Sequence, residues 1–96
     1  MNKKIKNIQT MIGLDAVIDG SVKLENGIIV YGKIKGNINT HGPVRLAKNA
    51  LVQGDIIGGD VRIAGTVDGN ISSKGQVSLL KTCIVKGDII YKKLLI

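Results

Sequence analysis

The chain has no tryptophan and no phenylalanine, and two tyrosines are its only aromatic residues. That absence argues against single-strand nucleic-acid binding, which stacks bases on aromatic side chains. A single cysteine rules out an internal disulfide and fits a reducing compartment. No apolar run approaches the roughly 20 residues of a spanning helix, and no secretory segment is visible. A cytoplasmic protein is expected. Neither the phosphate-binding pattern Gly-x-x-x-x-Gly-Lys-[Ser/Thr] nor Gly-x-Gly-x-x-Gly ahead of a helix occurs, which disfavours nucleotide-driven chemistry. One proline is also unusual beside thirteen glycines. The turns are many, and few of them are built on proline.

What remains is a 96-residue chain, suited to one domain, whose 44% hydrophobic content is nearly all Ile, Val, Leu and Ala. β-Branched residues suit a narrow core made by strands. The net charge of +7 admits acidic partners without naming one.

The sequence repeats. "VRLAKNALVQGDI" (44–56) lies over "VSLLKTCIVKGDI" (77–89) at an offset of 33, and "IIVYGKIKGNI" (28–38) lies over "VRIAGTVDGNI" (61–71) at the same offset. Within each unit runs a shorter pattern, [Ile/Val]-x-Gly-x-[Ile/Val], centred on Gly20, Gly36, Gly54, Gly69 and Gly87. Between these lie pairs two apart, such as Ile28 with Val30 and Val61 with Ile63. Spacing of two means short strands with one face inward. No helical periodicity is sustained after residue 13.

A glycine at constant phase in coils of 15 to 18 residues describes an all-β fold, a single-stranded β-helix or β-solenoid of five to six short coils. The five glycines are expected at corners, where the chain bends tightly or takes positive φ. Each coil buries its apolar face only by stacking on the next, about 4.8 Å away.

A rod of this kind has two open ends with unpaired backbone groups, and this chain offers little to cap them. It closes with "IIYKKLLI", apolar to the last residue. Ile90, Tyr91, Leu94, Leu95 and Ile96 are therefore expected to form one self-contact. Leu14, Val17, Ile18 and Val22 are expected to form the other. End-to-end polymerisation hides both ends. The segment "GLDAV" (13–17) matches "AKNAL" (47–51) loosely and reads as a half-coil.

The ordered series "KGNI", "QGDI", "DGNI", "KGDI", with the closing run "VKGDIIYKKLLI", resembles the bactofilins, bacterial polymer-forming cytoskeletal proteins. The resemblance covers roughly residues 11 to 96. It implies a right-handed β-helix of triangular cross-section and filaments formed without nucleotide through head-to-head and tail-to-tail contacts. It also implies a scaffold at the inner membrane face, often for cell-wall enzymes, and no cofactor. The sequence departs from the family in two ways: no polar or proline-rich tail follows the repeats, and no Phe stands near the C-terminal end. Tyr91, Leu94 and Leu95 would have to serve in its place.

Residues 1–12 differ in kind from residues 13–96, which are expected to form the β-helix domain. On a helix, Met1, Ile5, Ile8 and Ile12 share a face, with Lys3, Lys4 and Lys6 mostly elsewhere. Such a segment can lie among anionic headgroups, and many copies along a filament would add avidity. A solvated tail is the other reading.

Other chemistry finds little footing. His41, in "NTHGPV", invites comparison with solenoid acyltransferases, yet no second polar partner is evident. A small acyltransferase-like enzyme and a basic module for nucleic acid or acidic polymer remain the alternative readings. Cys83 aligns with Ala50, which suggests a small, partly buried site. Asp55 and Asp88 hold equivalent positions, so stacking would bring like charges onto one face.

Overall fold

The structure is a computed structural model and describes residues 8–96, with side chains from Thr10 onward. The described residues contain no helix. The chain winds through three strands per coil. The first coil is β1 (Ile8–Ile12), β2 (Val17–Asp19) and β3 (Val22–Leu24); the second is β4 (Gly27–Val30), β5 (Lys33–Lys35) and β6 (Ile38–Thr40). The third is β7 (Val44–Leu46), β8 (Leu51–Gln53) and β9 (Ile56–Gly58); the fourth is β10 (Val61–Ile63), β11 (Thr66–Asp68) and β12 (Ile71–Ser73). The fifth is β13 (Gln76–Leu79), β14 (Ile84–Val85) and β15 (Ile89–Ile90), and β16 (Lys93–Leu95) starts a sixth.

Corresponding strands stack in three parallel sheets. The first sheet runs β1-β4-β7-β10-β13-β16, the second β2-β5-β8-β11-β14 and the third β3-β6-β9-β12-β15. The molecule is thus a β-solenoid of about five turns, as the glycine phase and the two-residue spacing predict. The register explains the 33-residue offset. Val61 pairs with Val44 on one side and Val77 on the other, so a residue meets its sequence repeat two coils away.

The core is one column of aliphatic side chains down the axis. Ile28, Ile34 and Ile38 fill the second coil and Val61, Val67 and Ile71 the fourth, all at most 1% exposed. Each three-residue strand turns one or two of its residues inward and the others out, which is why buried and exposed positions alternate in β6, β7 and β10.

The five predicted corner glycines form one column between the second and third sheets. Gly20 (φ 138°) and Gly69 (φ 158°) take positive φ; Gly36, Gly54 and Gly87 do not. Contact is the more general reason for glycine here. A Cβ on Gly36, Gly54, Gly69 or Gly87 would strike the carbonyl of the column's preceding glycine. Beside this column runs a ladder of side chains. The Asp55 N–H donates to Asn37 Oδ1 (2.8 Å), the Asn70 N–H to Asp55 Oδ1 (2.9 Å) and the Asp88 N–H to Asn70 Oδ1 (2.9 Å). The like charges expected on this face are therefore separated: Asn70 stands between Asp55 and Asp88.

The half-coil at residues 13–17 also takes its expected place. The Ala16 N–H bonds Gly13 O as the Ala50 N–H bonds Ala47 O and the Cys83 N–H bonds Leu80 O, one turn repeated on alternate coils. Cys83 is half-buried against the core there, where Ala50 is buried.

The boundary at residue 12 needs correction. Ile8–Ile12 is a strand, hydrogen-bonded in parallel to β4, rather than the end of a separate tail. The 3.6-residue spacing of Ile8 and Ile12 is overridden because the edge of β4 offers backbone partners. Met1, Lys3, Lys4, Ile5 and Lys6 lie outside the described residues, and of Ile8 only the backbone is described.

Candidate functional site at the ends of the rod

Among the described residues, each end of the solenoid exposes the same two things, a set of unpaired strand edges and a slice through the core. At the N-terminal end β1, β2 and β3 are the outermost strands; at the C-terminal end they are β16, β14 and β15. In the middle of the rod the inward side chains are covered on both sides. At the ends they are covered on one side only.

The two slices are triangles. At the N-terminal end Ile12, Ile18 and Val22, one from each sheet, are partly buried against the core. Their neighbours one coil inward, Val30, Ile34 and Ile38, are fully buried. At the C-terminal end Val85, Ile89 and Leu94 are partly buried, while Val67, Ile71 and Val77 beneath them are fully buried. The same aliphatic position changes exposure only because the next coil is missing.

The residues expected at the contacts separate by direction. Ile18, Val22 and Leu94 belong to the triangles. Val17 is exposed on β2, and Leu14, in the 13–16 turn, is 71% exposed. Ile90 and Leu95 alternate outward from Ile89 and Leu94 and stand on the sides of the last coil, with Tyr91 at a corner and Ile96 92% exposed at the terminus. The sequence reading missed Ile12, Val85 and Ile89, although each occupies the same repeat phase as a core residue. It also missed Met11, Leu80 and Ile84 among the exposed large apolar side chains near the ends.

The remaining candidate chemistry is at the corner between the third and first sheets. There a groove of about 530 Å³ is lined by Glu25, His41, Asp60 and Lys74 over a floor that includes Gly42 and Gly59. His41 Nδ1 lies 3.4 Å from Glu25 Oε1, and the histidine side chain is 69% exposed. This is a solvent-facing turn, and Glu25 is a polar partner for His41 that the sequence did not reveal. Among the described residues no group of three or more His, Cys, Asp or Glu side chains could hold a metal ion.

A rod of stacked coils with uncovered aliphatic ends agrees with what the chain matches. The family model for the bactofilins, described as polymer-forming cytoskeletal, covers residues 10–96. The chain belongs to the bactofilin family. The match starts inside β1, so the family's domain takes in the strand that the helical spacing had set apart. No curated protein and no solved structure matches the chain. By its family, the chain is a polymer-forming cytoskeletal protein. Among the described residues of this bactofilin no helix is long and apolar enough to cross a membrane.

Proposed function

We propose that this bactofilin is a self-polymerising scaffold whose subunits join end to end without nucleotide. The observation that carries this is the pair of half-covered triangles, Ile12–Ile18–Val22 and Val85–Ile89–Leu94, each framed by three strand edges unpaired among the described residues. Contact with another copy removes the apolar triangle from water and pairs backbone groups at the same time. Leu14 and Val17 at one end, and Ile90, Tyr91, Leu95 and Ile96 at the other, form the rim of the contact. No energy source is needed, because burial alone drives association.

Membrane attachment is proposed for the basic segment Lys3, Lys4 and Lys6 with its apolar residues, on the grounds of composition and of display in many copies along a filament. The scaffold then lies along the inner membrane face, where cell-wall enzymes are the partners that the resemblance suggests.

Electron microscopy of the purified chain without nucleotide tests the polymer. Filaments are expected from the unaltered chain, and short or absent filaments from Leu94→Arg and from Ile89→Lys, with the β-sheet circular dichroism retained. Unchanged filament length in both variants refutes the C-terminal contact. For the membrane, K3E/K4E/K6E is expected to reduce the flotation of the filaments with anionic vesicles in a density gradient. Undiminished flotation removes the tail from the mechanism.

A further inference from the structure

Of the fourteen cationic side chains, twelve are lysines and two are arginines, Arg45 and Arg62. The fold makes the two arginines neighbours. Arg62 on β10 pairs in register with Arg45 on β7, and both are exposed on the outer face of the first sheet. Register partners in adjacent coils sit about 4.8 Å apart, and like charges there repel.

The other described strand pairings avoid such a juxtaposition. On the second sheet Asp19 faces Lys35, and Lys33 stands between Val17 and Leu51. On the third sheet Lys23 faces Asn39. On the first sheet Arg45 has Ile29 on its other side and Arg62 has Ser78. Among the described strand pairings, Arg45–Arg62 is the one rung with two like charges. Neither guanidinium is in an ion pair among the described residues.

A groove of about 240 Å³ opens over this rung, lined by Pro43, Arg45, Asp60, Arg62, Gln76 and Ser78. Its other polar groups are partly committed. Asp60 Oδ1 accepts the Gln76 N–H (3.0 Å), and Gln76 Nε2 donates to Ser78 Oγ (3.2 Å). The guanidinium forks are left with free donors. Two exposed arginines one coil apart on the same face can offer a dense set of N–H groups to one tetrahedral oxyanion. Such recognition favours arginine over lysine because the planar fork bonds two oxygens at once.

We propose that Arg45 and Arg62 form a binding site for a phosphate group, carried by a lipid headgroup or by a free phosphate ion. The bound anion relieves the repulsion in the rung. The site is on the side of the rod, away from both ends, so it is independent of the polymer contact and is occupied equally in free and assembled subunits.

The full chain provides its own reporter, since two arginines give two Nε–H signals in a magic-angle-spinning nitrogen–proton correlation spectrum, which reads filaments as well as free subunits. Inorganic phosphate, exchanged for chloride at constant ionic strength, is expected to shift both signals. Phosphatidylglycerol vesicles are expected to shift them if the group is a headgroup. A response to vesicles alone assigns the lipid source, and a response to phosphate alone assigns the free ion. By equilibrium dialysis for the free ion, or by vesicle flotation with K3E/K4E/K6E as the background, R45Q/R62Q is expected to lose affinity by at least about tenfold, the scale of a lost charge-assisted hydrogen bond. D60N, which keeps the acceptor for Gln76 but removes the groove's one carboxylate, is expected to tighten binding. Silence of both signals towards both probes overturns the proposal. So does full affinity in R45K/R62K, which would reduce the site to diffuse charge, or a larger response to polyglutamate than to phosphate.

Discussion

At Gly54 a single hydrogen atom separates a formed corner from a collision. A Cβ there would overlap the Gly36 carbonyl, which cannot move without shifting a coil, and come within 2.8 Å of Asn37 Oδ1, which accepts the Asp55 N–H. Gly54→Ala is therefore expected to destabilise the chain by about 1–3 kcal/mol, the range for overpacking a close-packed interior. The control is Gly13→Ala, whose Cβ would meet only Asp15 Oδ1 at 4.0 Å and is expected to leave the denaturation midpoint unchanged within error. Equal losses in the two variants would mean that glycine's flexibility, rather than the stacking distance, sets the requirement.

Strands of two to five residues hold together only through their neighbours, so each element's contribution is a ladder rather than a segment. The Asn37–Asp55–Asn70–Asp88 ladder couples four coils through side chain and backbone and keeps its two carboxylates apart. Asn70→Asp keeps the acceptor for the Asp88 N–H but lines up three carboxylates on successive coils. It is expected to cost about 0.2–1 kcal/mol at neutral pH, as like charges in register do, with the loss recovered at high salt. Denaturant midpoints at two salt concentrations check this; a salt-independent loss would point to geometry rather than charge. The same logic explains β1. Its sequence carries helical spacing, yet the exposed edge of β4 supplies hydrogen-bond partners that a short isolated helix could not match in water.

The whole molecule carries +7, and every copy added to the proposed filament would bring that charge close to the last. Apolar burial drives the ends together while net repulsion opposes it. Raising ionic strength from about 50 mM to about 300 mM shortens the screening length from roughly 14 to 6 Å. Longer filaments and a lower critical concentration are expected, measured by light scattering and microscopy. Filaments that shorten with salt would mean that ion pairs, rather than the aliphatic triangles, hold the contact.

The sequence by itself determined the class of fold, because a solenoid writes its geometry as a period. The 33-residue offset, the glycine phase and the two-residue apolar spacing each record a physical repeat, so the corners at Gly20, Gly36, Gly54, Gly69 and Gly87 and the core columns were legible before any coordinates. Ile18, Val22 and Leu94 were legible as end residues for the same reason. Which coil lies outermost among the described ones and which residues meet across coils are set by the tertiary structure. Val85 and Ile89 look like core in the repeat and are half-exposed only because nothing stacks beyond them. Arg45 and Arg62 are seventeen residues apart, and no local pattern marks them. They become neighbours because one turn of the chain returns to the same sheet at the same register, and that return is a property of the wound coil rather than of either segment.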